Sequence, residues 1–169
     1  MARLFFALWP EEELRNQFAS ISGQIKVKFG RRVAVNNLHI TLVFLGNIDE
    51  KQKDCILASA NRINCSSVDL YLDRVGWWRR PQVVWLAPAH TPGELESLAG
   101  ELVGVATRCG IPVDDRPFKP HMTLMRKVRK NPHLAPDISP VHWPVSKYAL
   151  VESVNTPDGV KYEPVWTSS

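Results

Sequence analysis

The chain has 169 residues, 44% of them hydrophobic, so its length predicts one domain with a buried core. Its 21 basic and 17 acidic residues give a formal charge of +4 and a pI near 9.1. A solvated surface also produces such a mildly basic balance, which does not by itself establish nucleic-acid binding. Residues 4–9 form an apolar run too short for a signal peptide, and no run approaches membrane-spanning length. We therefore expect a cytoplasmic protein with no membrane segment.

The cysteines are Cys55, Cys65 and Cys109. They are odd in number and widely scattered, and none stands in a Cys-x-x-Cys pair. We expect no disulfide framework and no zinc site. The thiols should pack as small apolar groups in a reducing compartment.

The first half of the chain has the pattern of two helices between strands. Pro10 and the glutamates after it suit a first helical turn, and apolar residues at helical spacing continue to about residue 28. Asp49 can cap a second helix. Residues 77–81 read as a turn. The predicted strands are residues 3–8, 33–35, 38–45, 68–75 and 83–86.

The second half begins with a third predicted helix. Thr91 and Glu94 suggest a capping box, and Gly110 suggests the stop of that helix. Residues 131–140 are proline-rich and predicted to be irregular. Residues 156–159 read as a turn. The predicted strands are the one that contains His121, then residues 148–154, and then residues 160–166, which Pro164 limits to a sheet edge.

These elements predict an α+β protein with a single domain, residues 1–169. Two similar half-domains, roughly residues 1–87 and 88–169, would each give one histidine strand to a shared groove.

The most informative pattern is a motif that occurs twice, as His39-Ile40-Thr41-Leu42 and His121-Met122-Thr123-Leu124. Side chains alternate between the faces of a strand, so each histidine shares a face with the threonine two residues on. Two such strands side by side would line a cleft with two imidazoles and two hydroxyls. This arrangement suits acid–base chemistry without a metal.

Two alternatives remain open for these histidines. A lone histidine on a half-buried strand is usually structural, although the repetition of the motif favours function. Metal binding would need further ligands, and neither motif has a Cys, Asp or Glu at ligand spacing. His90, His133 and His142 lie in proline-containing, loop-like stretches. We expect neither a metal nor a cofactor.

Phe44 and Arg126 each follow a motif histidine by five residues. Phe44 is either a core residue or a platform for a nucleobase. Arg126 belongs either to a solvated basic loop, with Lys127, Arg129 and Lys130, or to a phosphate site. Strict alternation places Phe44 and Arg126 on the face opposite their histidines. Both strands must therefore end or bulge after the threonine if these residues are to reach the groove.

Arg79 and Arg80 lie beside two tryptophans in the predicted turn. They belong either to a solvated turn or to the rim of the groove, where they would contact an RNA backbone or base.

With these motifs in place, the chain resembles the two-histidine phosphoesterases. Within them it is similar to the RNA 2′,3′-cyclic phosphodiesterases, historically called 2′-5′ RNA ligases (LigT-like, ThpR). The paired histidine motifs that extend to Phe44 and Arg126 are the specific part of this resemblance. The matching stretches are residues 3–7, 37–46, 83–86 and 116–126.

The resemblance implies a bilobal α+β fold, with two antiparallel sheets around a central groove and helices outside. It implies hydrolysis of an RNA terminal 2′,3′-cyclic phosphate to a 2′-phosphate without a metal. We expect the substrate to be such an RNA or a cyclic nucleotide, and the protein to be a monomer. By this analogy His39 donates a proton to the leaving O3′ and His121 activates water. Arg126, Thr41 and Thr123 would hold the phosphate, and Phe44 would stack on the terminal base. Reversible 2′-5′ ligation and a non-catalytic RNA-binding module are the alternatives.

Overall fold

The structure is a computed structural model that describes residues 1–135 and 137–169. The described strands are β1 Ala2–Leu8, β2 Arg31–Arg32, β3 Ile40–Ile48, β4 Val68–Trp78, β5 Val83–Ala87, β6 Met122–Arg126, β7 Asp137–Val145, β8 Ala149–Thr156 and β9 Gly159–Thr167. The helices are α1 Glu12–Gln24, α2 Glu50–Ala60 and α3 Gly93–Arg108, with a 3₁₀ turn at Val35–Asn37. None of the described helices has both the length and the apolar composition to cross a bilayer.

All nine described strands form one antiparallel sheet in the order β7-β4-β5-β6-β3-β1-β8-β9, with β2 paired to β6. β3 and β6 pair only at Ile40 and Met122, so the sheet has two halves that meet at this point. Each half of the sheet takes strands from both the first and the second half of the chain, because β1 pairs with β8 and β4 pairs with β7. The sheet therefore confirms the α+β class. The division into similar half-domains near residue 87 stays a prediction.

The main core fills one face of the sheet. Phe6, Ile40 and Met122 share a buried cluster with residues of α3 such as Leu102. α3 contacts both β3 and α2. A smaller buried cluster on the other face of β1 contains Phe5, Ala7, Ala149 and Val151. β1 is thus buried on both faces, as its continuous apolar run predicts.

Two helix boundaries follow the sequence signals. Asp49 caps α2, since its carboxylate accepts from Gln52 N at 2.8 Å and the Gln52 side chain accepts from Asp49 N at 3.1 Å. Gly110 follows the end of α3 with a φ of 71°, a conformation that glycine adopts without steric cost.

Two helix predictions are wrong. Thr91 does not cap α3: Pro92 occupies the N-cap position, and its carbonyl accepts from Leu95 N and Glu96 N. α1 ends at Gln24 rather than near residue 28, because Ile25 is already extended. Arg32 donates to carbonyl oxygens at this helix end, which stabilises the early stop.

Three strand predictions also need correction. Residues 33–35 are not a strand; β2 lies two residues earlier, and the 3₁₀ turn begins at Val35. Trp77 and Trp78 belong to β4, and the turn is confined to residues 79–82. The stretch 131–140 is only partly irregular, since β7 begins at Asp137; Pro136 lies outside the described residues. Pairing of β7 with β4 stabilises that strand despite its prolines.

The prediction of reduced thiols is wrong for two of the three cysteines. Cys55 in α2 and Cys109 at the end of α3 are joined by a disulfide with an S–S distance of 2.07 Å. The α2–α3 contact brings their Cα atoms to 5.8 Å, within the range that a disulfide spans. Sequence spacing gave no sign of this contact, since the cysteines are 54 residues apart. Cys65 is free.

Candidate active site

The two histidine motifs meet where the halves of the sheet join. Each histidine immediately precedes its strand, and the residues after them, Ile40 and Met122, are the cross-strand pair that links β3 to β6. Continuing this antiparallel register sets His39 beside Thr123 and His121 beside Thr41. A cavity of about 200 Å³ opens here. Its lining residues are His39, Thr41, Pro81, Val83, His121, Thr123 and Arg126.

A bulge in β3 brings Phe44 back to the groove face. Thr41 pairs with Ala7 and Phe44 pairs with Phe5, and both partners belong to the same face of β1. The register shift between them adds one residue to β3, so two consecutive side chains, Leu42 and Val43, are buried in the core. Phe44 itself is 48% exposed, with the Arg3 guanidinium 5.1 Å from its ring centroid.

β6 has the same irregularity. Thr123 pairs with Trp85 and Met125 pairs with Val84, so Leu124 is the extra residue. Arg126 then returns to the face of Thr123 and lines the cavity. The bulges required by the sequence argument are thus present on both strands. Phe44 lies on the groove face but does not line the central cavity; it lines a separate cavity of about 570 Å³.

His39 is fixed in orientation by its neighbours. Its Nδ1–H donates to Asn37 O at 2.7 Å, and its Nε2 lies 3.0 Å from the Thr41 hydroxyl. A carbonyl can only accept, so Nδ1 carries the proton, and in the neutral ring Nε2 accepts from the hydroxyl. Phe5 and Tyr162 pack on the ring at centroid distances of 4.9 and 5.1 Å.

His121 has a parallel but more open environment. Its Nδ1–H donates to Lys119 O at 2.8 Å, which leaves Nε2 directed away from that carbonyl. The ring meets Trp78 edge-on at a centroid distance of 4.7 Å. Both imidazoles are therefore held in the same tautomer by a carbonyl two residues earlier in the chain.

Both histidines favour the neutral form in this groove. Burial lowers the pKa of His39 to about 4, and the positive charge of Arg126 acts in the same direction. Burial also lowers the pKa of His121, again with help from Arg126. With both imidazoles neutral, the guanidinium of Arg126 leaves the groove with a net positive charge. This charge favours the binding of an anion.

Comparison with known proteins decides the family. Residues 10–157 match the family model described as the 2′-5′ RNA ligase superfamily. The chain belongs to this superfamily. A relative from Escherichia coli (strain K12) named RNA 2′,3′-cyclic phosphodiesterase is 34% identical over 96% of this chain and 93% of its own length. One of the same name from Thermus thermophilus is also 34% identical, over 95% and 86%.

Solved structures agree with this membership. The crystal structure of E. coli LigT complexed with 3′-AMP superimposes with a TM-score of 0.92 at 33% identity, covering 99% of this chain and 98% of that one. The resemblance stated from the sequence is therefore confirmed, and so is the phosphoesterase fold that it implied.

Sequence reasoning missed a buried arginine that supports this superfamily member's groove. Arg15 of α1 is 7% exposed, and its guanidinium donates to the carbonyls of Pro10, Val35 and Leu38 at 2.9–3.0 Å. Two of these carbonyls lie just before His39. Arg15 precedes the buried Phe18 by three residues, so its place on the apolar face of the helix was the available signal.

Asn37 is the second support that was missed. Its side chain donates to Val160 O at 2.8 Å and accepts from Tyr162 N at 3.0 Å, so it ties the 3₁₀ turn to β9. The carbonyl of the same residue orients His39. In the sequence, Asn37 appeared only as the first residue of the matching stretch 37–46.

The remaining predicted residues lie at the periphery. Arg79 and Arg80 are exposed in the turn beside Pro81, which lines the cavity, so a rim role stays a prediction. His142 is in β7 rather than a loop, where its Nε2 lies 2.7 Å from Asp69 Oδ1. Across residues 1–135 and 137–169, no three His, Cys, Asp or Glu side chains are grouped as metal ligands. Independence from metal stays a prediction.

Proposed function

We propose that this chain hydrolyses RNA terminal 2′,3′-cyclic phosphates to 2′-phosphomonoesters by paired-histidine acid–base catalysis, without a metal. The observation that carries the proposal is the meeting of both His-x-Thr motifs and Arg126 in one cavity. The E. coli and T. thermophilus relatives bear the name of this activity. The substrate class is an RNA with a cyclic phosphate end, or a cyclic nucleotide.

The reaction needs a base and an acid on opposite sides of the phosphorus. In the proposed step His121 Nε2 takes a proton from water as the water oxygen bonds to phosphorus. The bond from phosphorus to O3′ breaks, and His39 Nε2 gives its proton to that oxygen. The product has a free 3′-hydroxyl and a 2′-phosphate.

Arg126 and the two threonines would stabilise the phosphoryl oxygens as negative charge builds up on them. A guanidinium can donate two parallel hydrogen bonds to such oxygens, and Thr41 and Thr123 add hydroxyl donors. These groups are held by bulged strands before substrate arrives. Little reorganisation is then needed at the moment of reaction.

The substrate's charge also prepares His39 for its role. Burial and Arg126 keep this imidazole neutral in the free groove. A phosphate anion next to Nε2 favours the protonated ring and offsets the charge of Arg126. Substrate binding therefore promotes the proton uptake that the acid role requires.

Phe44 would receive the terminal base on its exposed ring, which projects on the groove face beyond the cavity. Base–aromatic stacking is worth about 1–3 kcal/mol and tolerates any base. Broad acceptance of the terminal nucleotide follows from this contact.

We also propose that the protein acts as a cytoplasmic monomer. The proposed substrate, RNA, supports the cytoplasmic location, and the monomeric state stays a prediction. Size-exclusion chromatography with light scattering measures the oligomeric state, and a dimer at working concentration contradicts the monomer.

The test is to identify the product terminus made from an RNA with a 2′,3′-cyclic phosphate by the wild-type protein and by His39→Ala and His121→Ala. The wild type should leave a 2′-phosphate. Each variant should lose about 10²–10⁴-fold in rate, as expected for a missing general acid or base. Circular dichroism should show that both variants fold.

Two outcomes favour the alternatives. Joining of a 5′-hydroxyl RNA to the cyclic end through a 2′-5′ bond, faster than hydrolysis, supports ligation by the same site. Tight RNA binding without any turnover supports a non-catalytic RNA-binding module.

A further inference from the structure

Arg31 lies next to Arg126 on the groove side of the sheet. It belongs to β2, which pairs with β6 so that Arg31 stands directly opposite Arg126. Side chains of directly opposed residues project from the same face. Arg126 lines the catalytic cavity, so Arg31 presents a second guanidinium immediately beyond it.

The strand that carries Arg31 is fixed from its other face. The guanidinium of Arg32 donates to Ile25 O at 2.7 Å and to Ser22 O. Its Nη1 also lies 4.0 Å from Met125 Sδ, and Met125 is 2% exposed. Val33 N donates to Leu124 O at 2.9 Å. β2 is therefore anchored by its backbone and by Arg32, while the side chain of Arg31 is exposed.

Two opposed arginines without an acid partner are unfavourable by themselves. Arginine stays charged in proteins, and like charges directly opposite each other on a sheet destabilise it. Among the described residues, neither Arg31 nor Arg126 has a carboxylate within 4.0 Å, although three other arginine or lysine residues form ion pairs. The pair is suited to a ligand with two neighbouring negative charges.

We propose that Arg31 binds the phosphate on the 5′ side of the nucleotide that reacts, while Arg126 holds the cyclic phosphate. This rests on the proposed function, because it assigns a second subsite to the same groove. Consecutive phosphates of one RNA strand are separated by a single ribose, so one nucleotide can present both charges to neighbouring guanidiniums. The preferred substrate is then a terminal nucleotide that carries a 5′-phosphate or continues into an RNA chain.

The proposal predicts that Arg31 matters only when that second phosphate exists. Three substrates separate the cases: a nucleoside 2′,3′-cyclic phosphate with a 5′-hydroxyl, the same nucleotide with a 5′-phosphate, and a dinucleotide with a cyclic end. Arg31→Ala should lower kcat/KM on the last two by about tenfold or more, mainly through KM, as expected for a lost charge-assisted contact. The rate on the first substrate should not change.

Arg62→Ala is the matched control, because it removes the same charge from an exposed position just after α2. It should leave all three substrates unaffected. On RNA oligomers, Arg31→Ala should also reduce the steepness of the salt dependence by about one unit of log–log slope. A loss that is equal on all three substrates, or absent from all three, overturns the proposal.

Binding separates this proposal from the proposed function. Dissociation constants for a nucleoside 3′-phosphate and a nucleoside 3′,5′-bisphosphate can be measured by calorimetry without any turnover. Arg31→Ala should weaken only the bisphosphate. If the wild type hydrolyses none of the cyclic substrates, the proposed function fails, while this comparison still decides the role of Arg31. If the wild type and Arg31→Ala bind the bisphosphate with equal affinity, the proposed role of Arg31 is contradicted.

Discussion

The two histidines have the same tautomer but different surroundings, and this difference has kinetic consequences. His39 is enclosed by aromatic rings and burial lowers its pKa to about 4, and burial also lowers the pKa of the more open His121 from its usual 6.5. The proposed step needs a protonated His39 and a neutral His121. In the free protein this combination is most populated between the two pKa values.

We therefore predict a bell-shaped profile of kcat/KM with its optimum below pH 6.5. Activity rises as one imidazole loses its proton and falls as the other does. In the profile of kcat the alkaline limb should move to higher pH, because the bound phosphate raises the pKa of His39. Rates on a cyclic mononucleotide from about pH 4 to 8 measure both profiles. Added viscogen should first show that chemistry limits the rate. If the alkaline limb of kcat then lies at the same pH as that of kcat/KM, the assignment of His39 as the acid is contradicted.

Arg126 differs from the basic residues that follow it, since only Arg126 lines the cavity. If it holds the reacting phosphate, Arg126→Ala should lower kcat even on a cyclic mononucleotide. Arg126→Lys should restore little of it, because an ammonium lacks the planar fork. If kcat of Arg126→Ala on the mononucleotide is unchanged, Arg126 lies at the rim and does not hold the reacting phosphate.

The comparison variant is the triple alanine substitution of Lys127, Arg129 and Lys130. It should raise KM increasingly with RNA length, and the effect should fade at high salt because attraction to a polyanion is screened.

The elements that orient His39 come from distant parts of the chain. α1 contributes Arg15, and β9 contributes the backbone groups that bind the Asn37 side chain. Both converge on the short segment before β3. The position of the His39 ring therefore depends on contacts between elements that are far apart in sequence.

Asn37→Ala tests this support. The variant keeps the carbonyl that accepts from His39 but loses both side-chain bonds to β9. This should cost about 0.5–1.5 kcal/mol of stability, because one lost bond is part-buried and the other is exposed to water. kcat should fall as well, since the carbonyl is no longer held. Asn36→Ala, at the exposed neighbour, should change stability by no more than about 0.5 kcal/mol. Urea unfolding measures the stability of both variants, and kinetics measure their kcat. Equal effects of the two substitutions contradict the supporting role of the Asn37 side chain.

The bulges show what the sequence does and does not predict at this scale. Alternation correctly places each histidine with its threonine, yet it places Phe44 and Arg126 on the wrong face. The missed signal is the pair of adjacent apolar residues after each threonine, Leu42-Val43 and Leu124-Met125. Both members of each pair are buried because an extra residue interrupts the pleat.

At the scale of the whole molecule, local signals suffice for the class of fold but not for its topology. Periodicity and turn residues correctly indicate an α+β protein, with a closing strand at the sheet edge. Which strands pair depends on long-range contacts. β1 lies between β3 and β8, and the Cys55–Cys109 bond joins two helices. Neither arrangement has a local sequence signature, so only the structure supplied them.

The groove that results brings together two imidazoles, two hydroxyls and a guanidinium from both halves of the sheet. This is the basis for proposing catalysis by histidines alone. The central claim is that these two imidazoles, and no metal ion, supply the acid and the base.

The most direct test is turnover of an RNA with a 2′,3′-cyclic phosphate by protein that has been dialysed against EDTA and assayed with EDTA present. The account predicts the same kcat as in untreated protein, a 2′-phosphate product, and loss of that activity in His121→Ala. If EDTA abolishes turnover and added zinc restores it, catalysis by the histidine pair alone is contradicted.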